Sequence, residues 1–80
     1  MVIVSRLPGT FYRKPNPESP PYVEIGQRVT DSTVIGLVEV MKSFYEVKCD
    51  VAGVLEKFLV EDGVIVDIGQ PLAEISAEHR

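Results

Sequence analysis

Among the side chains of this chain with reactive potential, one stands out by its setting: Lys42, in the run Glu39-Val40-Met41-Lys42-Ser43. A primary amine forms amides with activated carboxylates once a base removes its proton, so it suits a site of covalent attachment. Other chemistries find little support. No His/Asp/Ser or Cys/His set, phosphate-cradling glycine loop or metal-ligand spacing occurs. Cys49 and His79 are single residues, the first expected inside a strand as a small buried hydrophobe and the second in a terminus expected to be disordered. Glu61-Asp62 resembles a carboxylate pair, but Gly63 follows at once and a turn explains all three. From composition alone Lys42 is a solvated charge on a turn.

The elements that must position this amine are β-rich. Val34 to Val38 and Phe44 to Val47 are dominated by β-branched and aromatic residues and read as the two strands of a hairpin. No Asn-Gly or Asp-Gly fixes its bend, which falls between Val40 and Phe44. Short apolar runs separated by turn residues recur elsewhere, without a sustained 3.6-residue period, so the expected class is an all-β sandwich or barrel. Four prolines between Lys14 and Pro21 forbid helix and central strand there and require an exposed loop.

The chain also repeats itself. Val23-Glu24-x-Gly26-x-x-Val29 recurs as Val60-Glu61-x-Gly63-x-x-Val66 at an offset of 37, and the same offset carries Ile35 onto Leu72 and Val38 onto Ile75. Gly9, Thr10 and Phe11 align with Gly53, Val54 and Leu55 at an offset of 44, so the first unit holds 7 more residues, coincident with the proline loop. The expected organisation is one domain over residues 1–80, with halves at about 2–41 and 46–76 and an inserted loop at about 14–21. Stacking two such units buries the apolar face of each. An approximate two-fold relation makes the end of the chain, at Arg80, the counterpart of the Lys42 hairpin, which sets both termini at one end and Lys42 at the other.

Glu39-Val40-Met41-Lys42-Ser43 resembles the Glu-Ala-Met-Lys-Met signature of biotin carboxyl carrier domains, matching at Glu39, Met41 and Lys42 and departing at Val40 and Ser43. Phe11 to Glu18 and Pro21 to Gln27 look like the thumb region of the bacterial acetyl-CoA carboxylase type, and Val60-Glu61-Asp62-Gly63 and Gly69-Gln70-Pro71-Leu72 are similar to its closing segments. The resemblance runs from about Ile3 to Ile75. It implies a flattened barrel of two four-stranded antiparallel sheets. Lys42 would be the biotin acceptor, Glu39 and Met41 ligase-recognition residues, and Asn16, Pro17, Glu18 and Ser19 a thumb near the biotin. The implied partners are a biotin protein ligase, a biotin carboxylase and a carboxyltransferase, with the domain itself a non-catalytic carrier.

Read from the residues alone, Met41 is equally a packing residue of the hairpin and Glu39 a solvated strand charge. A lipoyl-type acyl carrier and an unmodified interaction module share the fold, although Met41 stands where lipoyl domains place an aspartate. A net charge of −4 offers no basic surface for nucleic acid. No apolar run approaches the ~20 residues that span a bilayer, and Met1 to Leu7 is too short for a signal peptide. The cysteine count and the absence of such segments lead to a cytoplasmic expectation. Since related carrier subunits have a long segment before the domain, the chain is either an excised domain or a minimal carrier.

Overall fold

The computed structural model describes residues 1–77; His79 and Arg80 lie outside the described residues. Eight strands follow one another: β1 (Val2–Val4), β2 (Gly9–Tyr12), β3 (Arg28–Val29), β4 (Val34–Val40), β5 (Ser43–Lys48), β6 (Gly53–Phe58), β7 (Val64–Val66) and β8 (Pro71–Ala77). They form two antiparallel four-stranded sheets, ordered β1-β8-β6-β3 and β5-β4-β2-β7. This is the expected flattened sandwich.

The repeat noticed in the sequence is a repeat of packing. Phe11 and Leu55, Val29 and Val66, Ile35 and Leu72, and Val38 and Ile75 are matched pairs, and every member is at most 2% exposed. Each such side chain contributes roughly 1.5–3 kcal/mol by leaving water. They belong to two core clusters, joined by Val47 and Phe58, which pack against both. Cys49 lies in the first cluster, fully buried, one residue beyond β5 and not within a strand. Burial there, and next the Asp50 carboxylate, push its thiol above the ordinary value of 9.0.

The backbone repeats with the same exchange of halves. Arg28 and Val29 face Val54 and Gly53 across β3 and β6, just as Ile65 and Val66 face Thr10 and Gly9 across β7 and β2. Gly26 N–H donates to the Leu55 carbonyl at 2.7 Å and Gly63 N–H to the Phe11 carbonyl at 2.7 Å. Both glycines have positive φ, 92° and 82°, which explains why the repeat preserves glycine at these turns. Each half therefore closes its turn on a strand of the other, so neither half completes its hydrogen bonding alone.

This topology separates Lys42 from Met1 and Ala77. Ala77 pairs with Gly53, and Gly53 with Val29, which precedes the connection to Val34 at the start of β4. Met1 is held beside Ile75 by hydrogen bonds in both directions. Lys42 follows the far end of β4, whose seven residues reach on the order of 20 Å at ~3.4 Å each.

Candidate functional site

Val40 pairs with Ser43, so the loop between β4 and β5 consists of Met41 and Lys42 alone. Both have positive φ, 50° and 69°, the backbone of the two-residue turn whose twist matches that of antiparallel strands. Such turns normally use Asn-Gly. In a residue with a Cβ the left-handed conformation costs roughly 1–2 kcal/mol, so this turn carries strain at the two residues the sequence motif singles out. Their chemistry hides the turn from sequence reasoning, which bounded the bend only between Val40 and Phe44. Met41 is 94% exposed and packs against no core, and Lys42 is exposed beside it.

The proline-rich segment leaves β2 after Tyr12 and returns to the body at Tyr22, whose N–H donates to the Arg13 carbonyl at 3.0 Å. Asn16 shapes the tip of this thumb. Its side-chain oxygen accepts the Glu18 N–H at 3.0 Å and its carbonyl accepts the Ser19 N–H at 3.2 Å. Between thumb and sheet lies an open cleft of about 400 Å³. Tyr12, Pro15, Pro17 and Phe44 give it apolar walls, while Lys14, Asn16, Glu39 and Asp62 give it polar groups.

The motif acid Glu39 is half-buried and faces this cleft. Its Oε1 accepts the Tyr12 hydroxyl at 3.3 Å. Partial burial, then the Glu39 carboxylate and more weakly Asp62, hold the Tyr12 hydroxyl above its ordinary value of 10.0. Phe44 sits opposite Glu39 in the β4–β5 register, so the cleft reaches the strand residues flanking the lysine turn.

The structure thus brings Glu39, Asn16 and Pro17 together at one cleft and sets Met41 and Lys42 on the adjoining turn, while Glu18 and Ser19 stand on the thumb outside the cleft lining. Sequence reasoning missed Tyr12, Phe44 and Asp62. A signal for Asp62 existed, since Ile25 occupies the matching place in the first half. Asp62 belongs to the turn expected before Gly63, and its Oδ1 also accepts the Arg13 N–H at 2.6 Å.

A second cleft, of about 190 Å³, opens between β1 and β5 with Val4, Leu7, Val38 and Val47 in its lining. The Arg6–Asp50 pair there, 2.7 Å apart, is well exposed and contributes little. Among the described residues no group of three His, Cys, Asp or Glu gathers to hold a metal ion, and no helix is long and apolar enough to cross a membrane.

Comparison with known proteins agrees with the fold. The profile of the biotin/lipoyl family, described as biotin-requiring enzyme, matches residues 2–75. The chain is 47% identical over 73 residues to the biotin carboxyl carrier protein of acetyl-CoA carboxylase from Chlamydia muridarum, covering 91% of this chain and 45% of that protein. Against the protein of the same name from Haemophilus influenzae the identity is 39% over 74 residues, covering 92% and 48%. Against the chloroplastic biotin carboxyl carrier protein of acetyl-CoA carboxylase 2 from Arabidopsis thaliana it is 36% over 72 residues, covering 90% and 28%. The chain spans less than half the length of these curated relatives. With a family match over nearly its whole length, a doubled four-stranded sandwich and a lysine on a strained two-residue hairpin tip, the chain belongs to the biotin/lipoyl family of biotin-requiring enzymes.

Proposed function

We propose that this chain is a carrier domain in which Lys42 accepts biotin as an amide, and that it serves as the biotin carboxyl carrier of an acetyl-CoA carboxylase. The observation that carries the reading is the turn itself: a two-residue loop, strained at both positions, holds the amine clear of the body and opposite Met1 and Ala77. Residues 2–41 and 46–76 act as the two halves of one rigid support, with residues 14–21 as the thumb.

The residues present fit the group. Tyr12, Phe44, Pro15 and Pro17 offer apolar walls for a small ring system, and Asn16 and Glu39 offer oxygens that accept N–H donors such as those of a ureido ring. When bound, biotin supplies a ureido nitrogen that carries a carboxyl group. Lys42 contributes attachment. A biotin protein ligase removes a proton from its ammonium, the amine attacks the acyl carbon of biotinyl adenylate, AMP leaves, and an uncharged amide remains. Glu39 and Met41 serve as recognition residues for that ligase. Tethering then raises the effective concentration of the carried group at a biotin carboxylase and at a carboxyltransferase, without adding contacts to either. The domain supplies no catalytic group to those steps, and a reduced, ATP-containing cytoplasm suits both its buried thiol and the ligase.

Intact mass after incubation with biotin protein ligase, ATP and biotin tests the proposal. The expected result is a gain of one biotinyl group, lost in Lys42→Arg while the melting temperature is kept. A folded protein that gains no mass from a ligase active on another carrier removes biotin from the reading.

A further inference from the structure

We infer that Asp62 and Tyr12 are positioning residues that clasp the thumb to the body and to the strand leading to Lys42. The first observation is the treatment of Arg13, where the thumb begins. Its N–H is bound by the Asp62 carboxylate at 2.6 Å, its carbonyl accepts Tyr22 N–H at 3.0 Å, and its guanidinium lies 4.1 Å from the centre of the Phe58 ring. Among the described residues the buried Nε of Arg13 has no hydrogen-bond partner, and stacking on Phe58 fixes that end. The second observation is Tyr12, one residue earlier, whose hydroxyl reaches Glu39 on β4 at 3.3 Å. Three successive links therefore tie the thumb's entry to the opposite sheet, to the turn before β7 and to the lysine-bearing hairpin.

The internal repeat shows that the sandwich itself does not require these links. The offset of 44 carries Tyr12 to Glu56, but the register shifts between Leu55 and Lys57, so that Lys57 faces Glu74 as Tyr12 faces Leu37 and takes the place of Tyr12 in the sheet. The counterparts of Glu39 and Asp62 at the offset of 37 are Ser76 and Ile25. None of these three reproduces the contacts, and Ile25 is 61% exposed. The symmetry of the fold is broken at the positions that face the inserted thumb and kept at the core. A charged acceptor on a backbone N–H is the strong kind of hydrogen bond, and Asp62 supplies it where the insertion would otherwise begin as a free loop. The clasp keeps the cleft formed beside the lysine turn before any group is attached. This inference rests on the carrier reading only for its second measurement below.

Hydrogen exchange of backbone amides, followed by NMR on the unmodified protein, tests the clasp directly. Asp62→Ala is expected to speed exchange at Arg13 and Tyr22 by about tenfold or more, the loss of one hydrogen bond to a charged group. Asp62→Asn, which keeps an acceptor oxygen, should retain most of the protection. The amides of Cys49 and Ile75, bonded to Thr33 and Met1, should keep their wild-type rates. Unchanged exchange at Arg13 in Asp62→Ala overturns the clasp, and so does an equal acceleration across the whole domain. The second measurement is steady-state acylation of Lys42 by biotin protein ligase. Tyr12→Phe should raise KM severalfold with kcat unchanged and the melting temperature kept, because Glu39 loses its tether while the aromatic wall remains. Acylation kinetics equal to wild type overturn the link to the hairpin. Failure of any acylation, with the exchange pattern as expected, rejects the carrier reading and leaves the thumb clasp standing.

Discussion

Met41 and Lys42 occupy backbone conformations that asparagine and glycine adopt readily and that they do not. Since Met41 is 94% exposed, replacing it removes no core packing. Met41→Asn is therefore expected to stabilise the domain by about 1 kcal/mol, the lower end of the cost of a left-handed residue, which raises the melting temperature by roughly 4–8 °C in a domain of this size. Thermal unfolding followed by circular dichroism checks it; an unchanged or lower midpoint means the turn holds no releasable strain. The carrier reading adds that the stabilised variant is a poorer ligase substrate. The residue motif was legible in the sequence because it is a matter of residue types in order. The strain was not, because two residues with weak turn preference give no local signal of a tight turn.

The thumb shows what one element adds to a symmetric scaffold. None of the buried apolar residues lies between Arg13 and Tyr22, so the core is complete without it. Deleting the seven residues Pro15 to Pro21 makes the spacing from Phe11 to Val23 equal to that from Leu55 to Val60 in the second half. The shortened protein is expected to keep its strand content and to melt within a few degrees of wild type, since loop length changes closure entropy by only about 0.6 kcal/mol per doubling. Far-ultraviolet circular dichroism and thermal melting decide this; loss of the cooperative transition would make the thumb part of the folding unit. The insertion was readable because two offsets, 37 and 44, disagree by its length. Its direction was not, because Asp62, Phe58 and Glu39 lie far from Arg13 and Tyr12 in sequence and meet them only after the sheets pair.

For the whole molecule the consequence is polarity. The β8 end lies with Gly53 and Val29, and the lysine turn lies at the opposite end of β4. A folded protein joined by a flexible linker after residue 77 is thus expected to change kcat/KM for modification of Lys42 by no more than roughly twofold, since it emerges away from the turn. Intact-mass kinetics of the fusion and the isolated domain make the comparison; a large loss would place the appended protein over the hairpin.

What the sequence determined by itself was the plan. Apolar residues alternate and repeat at fixed offsets, Gly26 and Gly63 stand at turns where φ is positive, and each of these is a local requirement written in residue type. The paired burial of Phe11 with Leu55 and of Val38 with Ile75 follows from that periodicity. Tertiary structure alone decided the surroundings of Lys42. The Tyr12–Glu39 contact spans 27 residues and the Asp62–Arg13 contact spans 49, and both depend on strand register and on how a proline-stiffened loop folds back over a sheet. Contacts of that kind arise from the sum of all strand pairings, so no short stretch of the chain encodes them.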